Sequence, residues 1–266
     1  MKKSFLLLLV FAALPLWAKF EVKEIDGNFT LWHDGKLMLS AIETYTGKSW
    51  TPPEGTRKSE AVLPDGSKVY QLWNENDNYK FRREIAVMAN GTVEITMAGE
   101  AAAFNSNLTR MVQIRVPFEA VKGEKFQALR DDGRKWLPVD GCFAPDMADG
   151  GLPTRPYRFF CVNINNKPII FDFLSQGAGD YCTGYGTGAI RGIWSATKRG
   201  NEIIFNTGST LPWYGGFTGA KLVIREGKFT DYSKLHAQKT FVYNYHLAPE
   251  RLYSFGGNKS ASSTAP

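Results

Sequence analysis

The chain has 266 residues, 43% of them apolar or aromatic, which is enough to bury a substantial core. Its net charge of +6 is spread thinly, in pairs such as Arg57-Lys58, Arg82-Arg83 and Lys198-Arg199. That distribution excludes the dense positive patch of a nucleic-acid binder and leaves only a weak preference for acidic polymers.

The first element is an address. Met-Lys-Lys-Ser leads into an apolar run from Phe5 to Leu16 and then Trp17-Ala18. A basic start, a short apolar stretch and a small residue at the cleavage position are the features of a signal peptide. The run is too short to cross a hydrocarbon core of about 30 Å as a helix. Residues 1–18 are therefore expected to be removed, leaving a secreted or periplasmic chain without a membrane span. Their loss lowers the net charge from +6 to +4, because Lys2 and Lys3 go and no acid does. No cysteine lies at the boundary, so a lipid anchor is not expected.

Hairpins follow. Asp26-Gly27 separates Phe20–Ile25 from Asn28–His33, and Asp34-Gly35 leads to Lys36–Tyr45. Asn90-Gly91 joins Tyr79–Met88 to Thr92–Ala98. Asn165-Asn166 joins Tyr157–Ile164 to Pro168–Leu174, and Arg199-Gly200-Asn201 joins Ala189–Thr197 to Glu202–Thr207. These dipeptides tolerate the positive φ angles of tight hairpin turns. Between the turns, Val112, Ile114 and Val116 alternate with Gln113 and Arg115, the pattern of a half-buried strand. Phe159–Val162 and Pro168–Phe171 are apolar on both faces, as central strands are. Only Asp231–Lys239 reads as a helix, and the stretch after Phe255 reads as a disordered or linker-like tail. The predicted organisation is a signal peptide at 1–18, one β-sandwich domain at 19–255 and a tail at 256–266. The fold class is all-β, a large antiparallel two-sheet sandwich with little helix.

Length and strand pattern from Phe20 to about Tyr253 resemble the supersandwich of galactose mutarotase-like domains. Those domains occur in mutarotases, in polysaccharide lyases and beside the catalytic barrels of glycoside hydrolases. The resemblance implies a carbohydrate connection. Mutarotases of that type carry a histidine motif, a further histidine and a late catalytic glutamate. His33, His236 and His246, the three histidines here, lack that context, so the resemblance does not carry the mutarotase reaction with it.

Candidate ligand residues lie in turn-rich, aromatic sequence. Trp213 and Tyr214 stand beside Pro212 and Gly215-Gly216, and Asp180, Tyr181 and Tyr185 stand in a glycine-rich run shortly before Arg191. Sugar rings present apolar C–H faces to flat aromatic rings, while Asp and Arg side chains bond the hydroxyls. The competing reading is that these rings cap the ends of the core. Carboxylate chemistry has candidates in Glu43, Glu94, Glu100, Asp172 and Asp180, although most are expected to be solvent-facing charges. A lyase would instead draw on Tyr181, Tyr185, Arg191, His236 or His246. No catalytic residue is assigned. No cofactor is expected: Asp140, Asp146 and Asp149 match no EF-hand spacing, and Ca2+ there stands only as the alternative to a solvated loop.

Cys142 and Cys182 sit in glycine-rich sequence and Cys161 in an apolar strand pattern. The two open alternatives are a Cys142–Cys182 bridge with Cys161 buried as a small hydrophobe, and no bridge. The expected partner is a carbohydrate polymer or oligosaccharide, with a catalytic module as a further partner and no nucleic acid. The leading function is glycan binding or support of a glycan-degrading partner. A polysaccharide lyase or epimerase-like enzyme, and a structural envelope protein, are the alternatives.

Overall fold

The structure, a computed structural model, describes residues 20–26, 28–46, 56–75, 79–101, 109–131, 136–152, 157–173, 194–210 and 217–228. The chain opens with β1 (Phe20–Ile25), β2 (Asn28–His33), β3 (Lys36–Thr46), β4 (Thr56–Val62) and β5 (Lys68–Glu75). It continues with β6 (Tyr79–Val87), β7 (Val93–Ala101), β8 (Thr109–Pro117), β9 (Lys125–Asp131), β10 (Trp136–Cys142) and β11 (Gly150–Gly151). The last described strands are β12 (Tyr157–Ile164), β13 (Lys167–Phe173), β14 (Ser195–Arg199), β15 (Glu202–Thr210) and β16 (Phe217–Glu226). One turn of 3-10 helix, Phe118–Ala120, follows β8.

The strands form two sheets, and every neighbouring pair is antiparallel. The smaller has seven strands in the order β1-β2-β3-β8-β15-β14-β11. The larger has nine in the order β10-β9-β12-β13-β16-β7-β6-β5-β4. Ile42, Ile114, Val116, Ile203 and Phe205 of the smaller sheet share one buried cluster with Leu72, Ile85, Ile95, Phe126, Phe160, Phe171 and Leu222 of the larger. The chain is thus the two-sheet β-sandwich expected from its sequence.

Local chemistry explains the hairpins. Asp34 and Gly35 both have positive φ, 49° and 75°, as the mirror-image turn between β2 and β3 requires. Asn165 and Asn166 do the same between β12 and β13, at 53° and 67°. β12 and β13 are internal strands, and both of their faces are buried. Phe160, Val162, Ile169 and Phe171 meet the main core, while Phe159, Cys161 and Ile170 form a second cluster with Leu129 on the opposite face.

Two readings are revised. Asp140-Gly141-Cys142 is not loop but the end of β10, paired with Lys125–Gln127 of β9. Glycine is required there: a Cβ on Gly141 would lie 2.2 Å from Cζ of Phe126. Cys142 is a free, exposed thiol rather than half of a bridge, and Cys161 is buried as expected. Cys182 and the expected helix at Asp231–Lys239 lie outside the described residues. A hairpin that the sequence reading passed over joins β4 to β5, where Leu63 N–H donates to Ser67 O at 2.8 Å.

One end of the sandwich is closed by contacts between the sheets. Asn165 Nδ2 donates to Leu37 O at 3.0 Å, and Lys167 Nζ lies 3.3 Å from Asp34 Oδ2. His33, only 4% exposed, tilts against Phe20 with ring centroids 4.5 Å apart. Its Nε2 lies 3.5 Å from Glu226 Oε2, close enough for charge attraction but too long for a satisfied hydrogen bond. Burial holds the imidazole pKa below its ordinary value, against the opposing pull of Asp34 and Glu226; Lys167 adds to the lowering. The folded state therefore prefers neutral His33. Its contribution is fully present above about pH 6.5 and is lost as pH falls through the lowered folded value. Thermal melts between pH 7.5 and 5.5 should show a larger fall in Tm for the wild type than for His33→Gln. Equal pH dependence in the two proteins would show that His33 does not supply it.

Candidate functional site

Strand alternation gives the nine-stranded sheet a second face, pointing away from the main core. Core residues of β5, β6 and β7 are Leu72, Ile85, Val93 and Ile95. Their alternates, Val69, Gln71 and Trp73, then Arg82, Glu84 and Ala86, then Glu94 and Thr96, stand on the outer face. The registers sort them into cross-strand rows. Trp73 pairs with Arg57 of β4 and Arg82 of β6. Gln71 pairs with Ser59 and Glu84, and Glu84 with Thr96. Ala86 pairs with Glu94, Glu94 with Val223, and Val223 with Asp172.

This face is not a row of solvated charges. Gln71 is 1% exposed, Glu84 3% and Asp172 9%. A polar group withdrawn this far from water must be hydrogen-bonded. Gln71 Nε2 donates to Glu84 Oε2 at 2.9 Å, and Ser59 Oγ donates to Gln71 Oε1 at 3.2 Å. Hydroxyl, amide and carboxylate thus form one chain across β4, β5 and β6. In the next row the Arg82 guanidinium lies over Trp73, with Cζ 4.0 Å from the ring centroid. The chain ends in a hydroxyl, which can donate and accept, and a carboxylate, which accepts, with the amide doing both between them.

Two of the carboxylates named from the sequence, Glu94 and Asp172, fall on this face in one row, two strands apart. At about 4.8 Å per strand their backbones are about 10 Å apart. Glu84 is diagonal to Glu94 across β6 and β7. Asp172 is buried, which revises the expectation of a solvent-facing charge. Glu43 lies elsewhere, on the seven-stranded sheet, where Arg115 Nε donates to its Oε2 at 2.8 Å. The same guanidinium reaches Glu202 Oε2 at 2.9 Å, and Ser40 Oγ donates to Glu202 Oε1 at 2.8 Å. That cluster satisfies itself as a structural brace.

Trp213, Tyr214, Asp180, Tyr181, Tyr185 and Arg191 lie outside the described residues, as do His236 and His246. What the structure gives is where the flanking strands stop. β13 ends at Phe173 and β16 begins at Phe217. The register puts Phe217 in the row of Glu100, Lys80 and Glu75, at the end of the nine-stranded sheet near the Arg57–Trp73–Arg82 row, whereas Phe173 stops short of that end, paired with Leu222 in the row of Ile95, Ile85 and Tyr70. Asp140 and Asp146 are exposed on β10 and the turn after it. Asp149 instead accepts from Lys198 Nζ at 2.9 Å and from Gly200 N–H at 3.0 Å. Those bonds, Gly200 first, hold its carboxyl below the usual carboxylate range. Among the described residues no three His, Cys, Asp or Glu side chains converge as a metal site would need. Gln71, Glu84, Trp73 and Arg82 are the members that sequence reasoning missed.

No protein-family model matches the sequence. No match is found among the curated proteins. Solved structures give similarity of fold. A protein of Escherichia coli K12 assigned as an aldose 1-epimerase is 10% identical, with a TM-score of 0.44 over 79% of this chain and 96% of that one. A protein of Synechocystis sp. PCC 6803 is 5% identical, with the same TM-score and coverage. A beta-arabinopyranosidase is 12% identical at a TM-score of 0.42, over 79% of this chain and 38% of that one.

The Gln71–Glu84 bond can be tested by itself. Gln71→Ala removes a donor from a buried carboxylate and should destabilise the protein by about 1–3 kcal/mol in urea unfolding. Glu84→Gln in the same background should recover part of that loss, because a neutral amide costs less to bury. A double variant no more stable than Gln71→Ala would contradict the pairing.

Proposed function

We propose that this chain is an exported protein that binds a carbohydrate on the outer face of the nine-stranded sheet, alone or in support of a glycan-degrading partner. The observation that carries this reading is the half-buried Trp73–Arg82 pair beside the half-buried Ser59 hydroxyl, held in place by the buried Gln71–Glu84 bond. Hydroxyl-bonding groups fixed next to an indole match the two-sided chemistry of a sugar, polar at its rim and apolar on its C–H face. A fold alone would not license this, since similar sheets serve unrelated functions. Trp213, Tyr214, Tyr181, Tyr185, Asp180 and Arg191 are proposed to complete the site from the segments that follow Phe173 and precede Phe217. Export rests on the signal-like residues 1–18.

A second reading is catalytic. Glu94 and Asp172 share one row of the same face, at a backbone separation within reach of paired-carboxylate chemistry. It predicts turnover of the bound glycan, whereas the binding reading predicts retention without products. A lyase or epimerase-like reaction would need Tyr or His with an Arg, from Tyr181, Tyr185, His236, His246 and Arg191. A structural envelope role predicts neither retention nor turnover.

The direct test is retention of the purified mature chain on a panel of soluble and insoluble glycans, with product analysis of each. At least one glycan should retain the wild type, and Trp73→Ala and Trp213→Ala should each weaken retention about tenfold or more while melting like the wild type. Retention unchanged in both variants would remove this face as the site.

A further inference from the structure

We propose that the segment after β16, beginning at Phe229, lies as a strap across the outer face of the nine-stranded sheet and seals the apolar cluster Leu129–Phe159–Cys161–Ile170. This goes beyond the carbohydrate reading and does not depend on it.

The cluster needs a cover. Leu129, Phe159 and Ile170 are each 1% exposed and Cys161 is 8% exposed. They stand on the face of β9, β12 and β13 turned away from the seven-stranded sheet, because their alternates Ala128, Phe160, Val162, Ile169 and Phe171 fill the main core. The described strands lie beside this cluster or behind it, and none of them crosses over it. Curvature of the sheet does not account for the burial, since Gln127, on the same face of β9 two residues before Leu129, is exposed. Adjoining apolar side chains are withdrawn from water only where other apolar groups are laid on them.

The chain itself starts that crossing. Gly227 N–H still donates to Pro168 O at 2.9 Å, so the chain reaches Gly227 in register with β13. The Gly227 carbonyl then accepts from the Cys161 thiol at 3.7 Å. Cys161 belongs to β12, and β13 lies between β12 and β16. Two strand spacings are about 10 Å, more than a cysteine side chain spans. The carbonyl has therefore moved over β13 toward β12. A Cβ on Gly227 would lie 3.4 Å from Ile170 Cδ1, which puts this backbone directly on the cluster. Its φ of 152° is one that residues with a side chain rarely adopt, so glycine sets the departure.

The sequence that follows suits the surface. Phe229 comes first, and in the helix expected over Asp231–Lys239 the side chains of Tyr232 and Leu235 fall on one face. Asp231, Ser233 and Lys234 supply a polar side for water. Asp172 pairs with Phe159 in the register, so the strap also forms the wall that ends the polar face on that side.

Cys161 reports the cover. With Cys142→Ser and Cys182→Ser it is the single thiol of the mature chain. Its reaction with dithiobis-nitrobenzoate should quicken about tenfold or more in Phe229→Asp with Leu235→Asp, through opening of this face alone, while the thermal melt stays cooperative. An unchanged rate in that folded variant would overturn the strap. Cross-linking decides the matter independently of that variant's folding. In the same background Phe229→Cys should join Cys161 within one chain under mild oxidation, because it follows the Gly227 carbonyl by two residues; Ser260→Cys, in the tail, should not. A bridge between two chains would assign the cover to a second copy and overturn the inference. So would equal bridging from positions 229 and 260, or no bridge from any of Phe229→Cys, Tyr232→Cys and Leu235→Cys. Glycan retention by the wild type is untouched by each of these results.

Discussion

One column of aromatic rings makes the outer face usable. Phe171 and Phe160 of the larger sheet meet Phe205 of the smaller at centroid distances of 5.3 and 5.0 Å. Phe173 stacks on Trp194 at 4.8 Å, and Phe126 on Phe160 at the same distance. Rings of this size supply much of the burial that holds two sheets face to face, with a further increment from their offset and edge-on geometry. Because they fill the inner face of β9, β12 and β13, the alternate residues of those strands must point the other way. The same alternation, carried across β16, β7, β6 and β5, aims Asp172, Glu94, Glu84 and Gln71 outward together. The register that forms the core therefore also assembles the polar face.

That face shows how charge and burial are reconciled. Glu84 is almost wholly withdrawn from water yet accepts from Gln71, which in turn accepts from Ser59. Such a chain is rigid, since each member fixes the orientation of the next. Rigidity suits recognition: groups that need no reordering lose less entropy when a ligand arrives. The seven-stranded sheet makes a different use of charge. There Arg115 is shared between Glu43 and Glu202, and the result ties β3, β8 and β15 together.

Much of the fold was legible because its turns are local. Asp34-Gly35, Asn90-Gly91 and Asn165-Asn166 each mark a reversal within a few residues, and the structure has a hairpin at each. The β4–β5 hairpin carried the same kind of signal, Asp65-Gly66, but its first strand, Thr-Arg-Lys-Ser-Glu-Ala-Val, lacks the apolar alternation by which strands are recognised. Edge strands are charged because an apolar edge would recruit other chains. The site was harder to read. Arg57, Trp73 and Arg82 are far enough apart in sequence that only the exact length of two connections brings them into one row. Glu94 and Asp172 meet only because β16 lies between β7 and β13, an order no local pattern states. Gln71 and Glu84 look like ordinary surface polars until the pairing shows that they are buried and bonded to each other.

A glycan ligand is proposed to occupy the outer face of the nine-stranded sheet rather than any other surface. Hydroxyl-radical footprinting reads this directly, since Trp73 stands on that face and Trp32, beside Lys23, on the outside of the smaller sheet. With a saturating glycan that retains the chain, oxidation of Trp73 should fall several-fold while that of Trp32 stays constant. Protection of Trp32 with Trp73 unchanged, or neither protected while the glycan is bound, would contradict it.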